Sequence, residues 1–315
     1  MNLFKNLSNS SILRFFNSPI LRFSYLTAGV LLLFITGCAL ISSRPFSPLR
    51  TDYPAGLDAS EIIRVLEGRS VSHERLWAGG EITLRGEPLK GKKFFNATLL
   101  YEAPDRLRLR GSRMLTSTLF EYIMSADRVA VLFNHTKEWF EGTQGEFERH
   151  PDATLGLNPV ELPKALLIQQ DFMGRLGGGE FDRRGVSGED YLFLSTKGDN
   201  RVAFLLRRKD LLVREAAVYR QDGRLLLRLR YRRYGLFLGE VLPEELEMYF
   251  ASSGVTARVH VAEYKFPTRF ESAVFSLTPA VGFKRYPLNR LWESTENRRS
   301  GESEKRRNGE AEKRR

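Results

Sequence analysis

The residues of this chain whose types most readily do chemistry are one cysteine, Cys38, and four histidines, His73, His135, His150 and His260. A single cysteine excludes a disulfide scaffold and any thiolate-rich zinc or iron–sulfur site. The histidines are scattered, with no i, i+4 pair and no carboxylate at metal-ligand spacing, so no metal is expected. No G-x-S-x-G elbow, phosphate-binding P-loop or H-E-x-x-H helix occurs, and Gly177 to Gly179 lacks the strand, spacing and helix of a dinucleotide loop. The adjacent Glu244 and Glu245 follow Pro243 and read as a turn entering a strand. The expectation is therefore no enzyme and no cofactor, with a hydrolase built from residues distant in sequence as the alternative. That leaves Cys38, whose surroundings decide its use.

Leu26 to Ile35 (LTAGVLLLFI) is an uncharged, mostly apolar run, preceded by Lys5, Arg14 and Arg22 with no acid among them, and it leads into Thr36, Gly37 and Cys38. A basic leader, a short apolar stretch and small residues at the cut make a secretory signal. The run falls short of the about 20 residues a spanning helix needs. Ile35-Thr36-Gly37-Cys38 resembles the lipobox of bacterial lipoproteins, in which the cysteine is acylated and becomes the first residue of the mature protein. The resemblance makes Cys38 an anchor whose partner is membrane lipid; a buried cysteine that follows an apolar helix is the alternative. Three acyl chains at ~0.8 kcal/mol per buried CH₂ hold a protein on a membrane essentially permanently. Residue 39 is Ala. In well-studied lipoproteins Asp there marks inner-membrane retention, so the resemblance points to a lipid-anchored protein of the cell envelope, on the outer membrane and facing the periplasm.

Both ends of the chain repeat themselves. Asn9 to Phe16 (NSSILRFF) is followed by Asn17 to Ser24 (NSPILRFS), and Glu296 to Ser303, Glu304 to Ala311 and Glu312 to Arg315 share a period of eight. The C-terminal repeats mix charges and hold almost nothing apolar, which predicts a disordered tail over residues 290–315. A basic tail for anionic lipid or nucleic acid is the functional alternative. The net charge of +11 needs the same attention. Residues 1–37 carry three basic and no acidic groups and residues 290–315 nine basic and six acidic, so six of the eleven net charges lie in the ends. What remains on the middle is ordinary and calls for no nucleic-acid partner.

The elements between these ends are mostly strands. Residues 38–56, with Pro45, Pro48 and Pro54, have the composition of a tether. Asp58 to Ser70 places Ile62, Ile63 and Leu66 on one helical face, with Asp58 as N-cap and Glu61 three residues on. From Glu74 the dominant period is two, as in Arg106 to Arg110 and in Phe95, Ala97, Leu99 and Tyr101. A second helix interrupts the strands, because Asn158-Pro159-Val160-Glu161 reads as N-cap, proline at the first position and acid at the third. Strands then resume from Tyr191 to Lys265, with Asp222-Gly223 as a hairpin signal. Leu225, Leu227, Leu229 and Tyr231 should face inward and Arg224, Arg228, Arg230 and Arg232 water; that arginine stripe reads as a solvated strand face, with a nucleic-acid surface as the alternative.

The order of lipobox, tether, opening helix, strand meander, midway helix and a closing Phe275-Ser-Leu-Thr-Pro279 with Tyr286-Pro-Leu288 resembles the LolA/LolB-like superfamily of lipoprotein carriers and outer-membrane receptors. Tyr101 to Leu109 (YEAPDRLRL) carries the same likeness, and coverage runs from Leu57 to Leu288. The resemblance implies an α+β fold, mainly β with a few helices: a strongly curved antiparallel sheet forming an incomplete barrel closed by helices, over residues 57–289. It implies an apolar cavity for acyl chains, for which Phe95, Leu99, Tyr101, Phe120, Tyr122, Leu227 and Leu229 are the candidates. It also implies a membrane-delivery loop, here Gly111 to Ser117, with Met114 and Leu115 as candidates, though both could be strand ends tucked into the core. The cargo would be acylated lipoproteins or lipids, received from a periplasmic carrier and placed in the outer membrane. The competing expectation is a lipid-anchored structural, adaptor or sensor protein that binds a protein partner in the envelope.

Overall fold

The structure, a computed structural model, describes residues 44–45, 58–67, 72–89, 91–113, 117–149, 158–196, 200–279 and 281–291. Cys38, Met114 and Leu115 lie outside the described residues, as do both sets of terminal repeats.

In chain order the elements are β1 (Arg44–Pro45), α1 (Ala59–Glu67), β2 (Arg75–Arg85), β3 (Lys93–Glu102), β4 (Arg106–Arg113), β5 (Ser117–Ser125), β6 (Arg128–Phe133), β7 (Glu138–Thr143) and α2 (Gln144–Arg149). Then come α3 (Glu161–Leu166), α4 (Ile168–Gly177), β8 (Arg183–Ser187), β9 (Asp190–Ser195), β10 (Asn200–Arg207), β11 (Val213–Arg220), β12 (Leu225–Phe237), β13 (Glu240–Phe250), β14 (Val255–Lys265) and β15 (Lys284–Pro287). Strands β2 to β7 make one antiparallel meander and β8 to β14 another, and the pairing of β14 with β2 joins them into a single sheet. β15 adds a parallel strand beside β7, so the edges are β15 and β8 and the sheet does not close.

Laid flat, this run of strands would be about 60 Å wide. Yet one contiguous apolar cluster holds Phe140 of β7, Leu99 of β3, Leu246 of β13 and Phe193 of β9, together with Ile62 and Leu66 of α1 and Leu162, Leu166 and Phe172 of α3 and α4. A sheet can reach one core from both ends only by curling around it, and the helices fill the space inside. This is a mainly β fold with an incomplete barrel.

Local sequence explains where the helices start. Glu61 accepts a hydrogen bond from the Asp58 amide at 3.4 Å. α2 opens on a reciprocal capping box: the Thr143 amide donates to Glu146 at 2.8 Å and the Glu146 amide to the Thr143 hydroxyl at 3.2 Å. That helix, which the apolar pattern does not announce, buries Phe147 against Tyr122, with ring centroids 5.0 Å apart.

The midway helix is broken in two. Leu167, between α3 and α4, has φ −102° and ψ 33°. Leu166, Leu167, Ile168 and Gln169 are all buried. Successive helical residues point about 100° apart, so four in a row cannot face one sheet from a straight helix. The break lets both pieces pack inward.

The outer face answers the arginine stripe. Glu215 takes both Arg228, at 3.4 Å, and Arg230, at 3.0 Å, while Arg232 meets Glu247 at 3.0 Å and Arg233 meets Glu244 at 2.8 Å. Arg108 and Arg110 share Glu121 in the same way. Cross-strand glutamates thus neutralise the stripe, as expected of a solvated face. The Gly111 to Ser117 connection is also shorter than expected: Ser112 pairs with Thr118 and Arg113 with Ser117, so only residues 114–116 join β4 to β5.

Phe172 is fully buried within 5.1 to 5.5 Å of the rings of Phe193, Phe204 and Phe181. Phe172→Ala should therefore cost about 3–5 kcal/mol in urea denaturation. The same change at Phe94, half-exposed on β3, should stay within about 0.5 kcal/mol.

Candidate functional site

A hollow of about 640 Å³ is bordered by the end of β3, the segment before β2, and α3 and α4. Tyr101, His73 and, from the two helix pieces, Pro163, Lys164, Leu167 and Met173 are among the residues that line it. Its lining is mostly apolar, with Tyr101, Pro163, Leu167 and Met173 beside the charged Lys164, Asp171, Arg175 and Glu180.

His73 links two of these segments. Its backbone amide donates to Gln170 Oε1 at 2.9 Å and its carbonyl accepts from Gln170 Nε2 at 3.3 Å, which ties the segment before β2 to α4. The imidazole stacks on Phe266 with centroids 3.4 Å apart, and its Nε2 lies 2.8 Å from both oxygens of Glu240. Arg175 is likewise engaged, 3.2 Å from Asp171 and 2.9 Å from Glu180. Lys164 is held more loosely, 3.8 Å from Glu161 and largely exposed, so it can meet an anion at the mouth. Burial pushes the Tyr101 hydroxyl above its ordinary range and the charge of Asp105 adds to this. Tyr101 thus stays neutral and presents its ring to the hollow.

The interior under α3 is different. Between Leu162 and Leu166 of α3 and Ile82, Leu99, Leu109 and Val261 of the sheet there remains only about 20 Å³. Tyr231 ties α3 to the sheet by donating to the Ala165 carbonyl at 2.9 Å, while Tyr234 donates to the Val213 carbonyl of β11 at 2.7 Å and Tyr264 to the Pro243 carbonyl of β13 at 2.6 Å. Burial drives all three hydroxyls far above their ordinary range, so they remain protonated donors.

Of the cavity candidates, Tyr101 borders the large hollow and Leu99 the small void. Phe95, Tyr122, Leu227 and Leu229 are buried in the core, and Phe120 is half-buried with its ring edge-on to Phe95 at 5.2 Å. The sequence did not single out His73, Lys164 or Met173 as a group. Their spacing carries no signal, and the pairing of His73 with Glu240, 167 positions away, leaves none. Among the described residues no group of three or more His, Cys, Asp or Glu is placed to hold a metal, and no helix is long and apolar enough to cross a membrane.

The chain is similar in structure to LolA-superfamily proteins. One such protein, from Nitrosomonas europaea, matches at 12% identity and a TM-score of 0.46 over 70% of this chain and 98% of its own. A DUF1329 family protein from Desulfovibrio piger matches at 10% identity and a TM-score of 0.47, over 69% of this chain and 95% of its own. A domain named for outer membrane lipoprotein sorting, from Vibrio parahaemolyticus, matches at 12% and 0.43, over 70% and 97%. No family model matches the sequence, and no curated protein does. At these identities and TM-scores the likenesses bring no function to this chain.

Next to Tyr101, the Glu102 carboxyl is held below the usual range by the Arg75 guanidinium at 2.5 Å, against partial burial and with help from Arg106 at 3.1 Å. A lowered folded-state pKa adds stability above the ordinary carboxylate range and loses it as pH falls through the lowered value. Glu102→Gln should therefore flatten the acid side of a plot of melting temperature against pH while leaving its alkaline side parallel to the parent.

Proposed function

We propose that this chain is a lipid-anchored protein of the cell envelope that shelters the apolar part of an acylated lipoprotein or lipid and helps to place it in the outer membrane. Residues 1–37 are the signal, Cys38 carries the anchor, and residues 39–56 are the tether of a domain spanning 57–289. The observation that carries the reading is the hollow beside α4. Its 640 Å³ lies within the about 300–1,000 Å³ of small-molecule sites. A mostly apolar lining beside charged groups suits an amphiphile: the chain escapes water at ~0.8 kcal/mol per CH₂ while its head stays hydrated near Lys164. The packed interior takes no cargo in this reading; the rim hollow does, with Tyr101 as the candidate that contacts it.

A second reading, a lipid-anchored adaptor, draws support from that same packed interior. Native mass spectrometry of the membrane-extracted protein separates the two. Co-purifying lipid or acylated peptide supports the carrier, and a clean protein that takes up neither supports the adaptor. Gly174 sharpens the test, because a side chain built there meets nothing within 4 Å and projects beside the hollow. Gly174→Phe should block binding and leave the melting temperature equal or higher, since glycine disfavours a helix by up to about 1 kcal/mol. Retained binding would move the cargo site elsewhere. Cys38→Ser should release the protein from membranes; persistence in the membrane fraction would defeat the anchor.

A further inference from the structure

We propose that the hairpin tip joining β12 to β13 is a bilayer-contact site, through which this rim of the sheet docks on the membrane that holds the anchor. The placement rests on the lipid-anchor reading above.

A lone exposed leucine needs no explanation. Leu238 differs in its backbone. It is 71% exposed, at φ 50°, and is followed by Gly239 at φ 86° in a two-residue loop between the paired Phe237 and Glu240. Such loops favour Asn, Asp or Gly at the first position, because a branched apolar side chain gains nothing from the left-handed conformation and is badly hydrated there. Leu211 also sits at positive φ, 57°, but its side chain is completely buried, so packing compensates it. Leu238 has no such compensation in water. Leu236, two residues earlier on the same hairpin, is 42% exposed. Two apolar side chains thus project from a tip whose backbone is strained to present one of them, which fits a surroundings that is not water.

Two further observations say what those surroundings are. First, the backbone of residues 44–45 pairs antiparallel with this hairpin, Arg44 opposite Leu236 and Pro45 opposite Gly235. Cys38 is six residues before Arg44. At about 3.3–3.6 Å per residue the six residues from Cys38 to Arg44 reach at most about 22 Å, and Leu236 is one strand spacing of about 5 Å further, so the anchor is tethered within about 30 Å of this hairpin. Second, Glu240, next after the loop, holds His73, which lines the hollow. The apolar tip and the mouth of the hollow therefore share one rim, and docking the tip turns that mouth toward the lipid surface. Phe94, also exposed, lies at the opposite end of β3 from Tyr101 and serves as the control.

The test uses the full chain, reconstituted through its anchor into vesicles of phosphatidylethanolamine and phosphatidylglycerol, with an environment-sensitive fluorophore on Leu238→Cys or on Phe94→Cys. An acylated Cys38 takes no dye. Doxyl-labelled lipid should quench position 238 several-fold more than position 94, and aqueous iodide should do the reverse. Equal quenching at both positions overturns the contact site. Two dyes per chain would show Cys38 free and defeat the anchor. In that event Leu238→Cys in a Cys38→Ser background, added to the same vesicles, decides: preferential lipid quenching at 238 upholds the contact site, and none overturns it.

Discussion

A sheet that curls without closing must cover its inner face with something other than itself, and here the cover is the helix that breaks at Leu167. The constraint is strict because four consecutive buried residues, Leu166 to Gln169, leave α3 and α4 no free face between them. Their positions are set by the sheet through the Tyr231 hydroxyl on the Ala165 carbonyl and by the aromatic ring cluster around Phe172. With the helix seated in this way, only about 20 Å³ remains between α3 and the strands beneath it, and the roomier hollow lies beside α4.

That placement shapes the chemistry available. The rim hollow is bounded by side chains already engaged with one another: His73 with Glu240 and Gln170, and Arg175 with Asp171 and Glu180. Groups satisfied by each other in this way make a stable frame around the hollow. What the frame offers is a mostly apolar lining and the loosely held Lys164. Recognition of an amphiphile asks for no more than this.

Much of the fold was legible in the sequence. The strict alternation of Arg106 to Arg110 became β4 and Asp222-Gly223 became a tight turn with Gly223 at φ 85°, whereas Asn158 is not the N-cap expected: it accepts from the Val160 amide at 3.2 Å in the turn before a helix that starts at Glu161 with Val160 as its N-cap. The Thr143-x-x-Glu146 box was equally readable but sits beside a strand, so the period of two masked it. β8 was not readable, because all five of its residues are exposed and no apolar alternation marks it. The site was less legible than the fold. Phe95, Leu227 and Leu229 are the residues a cavity would use and also the residues a core needs, so periodicity could not separate the two; only the seating of α3 does. The frame around His73 depends on contacts across the whole chain, for which no spacing rule exists.

The central claim is that cargo sits at the rim and not inside the barrel. Amide line broadening by a spin-labelled fatty acid measures this directly. The account predicts broadening at Tyr101, Ala103 and the Lys164 to Arg175 stretch, with residues 78–82 and 259–261 under α3 left sharp. Broadening centred on those inner strands would contradict it.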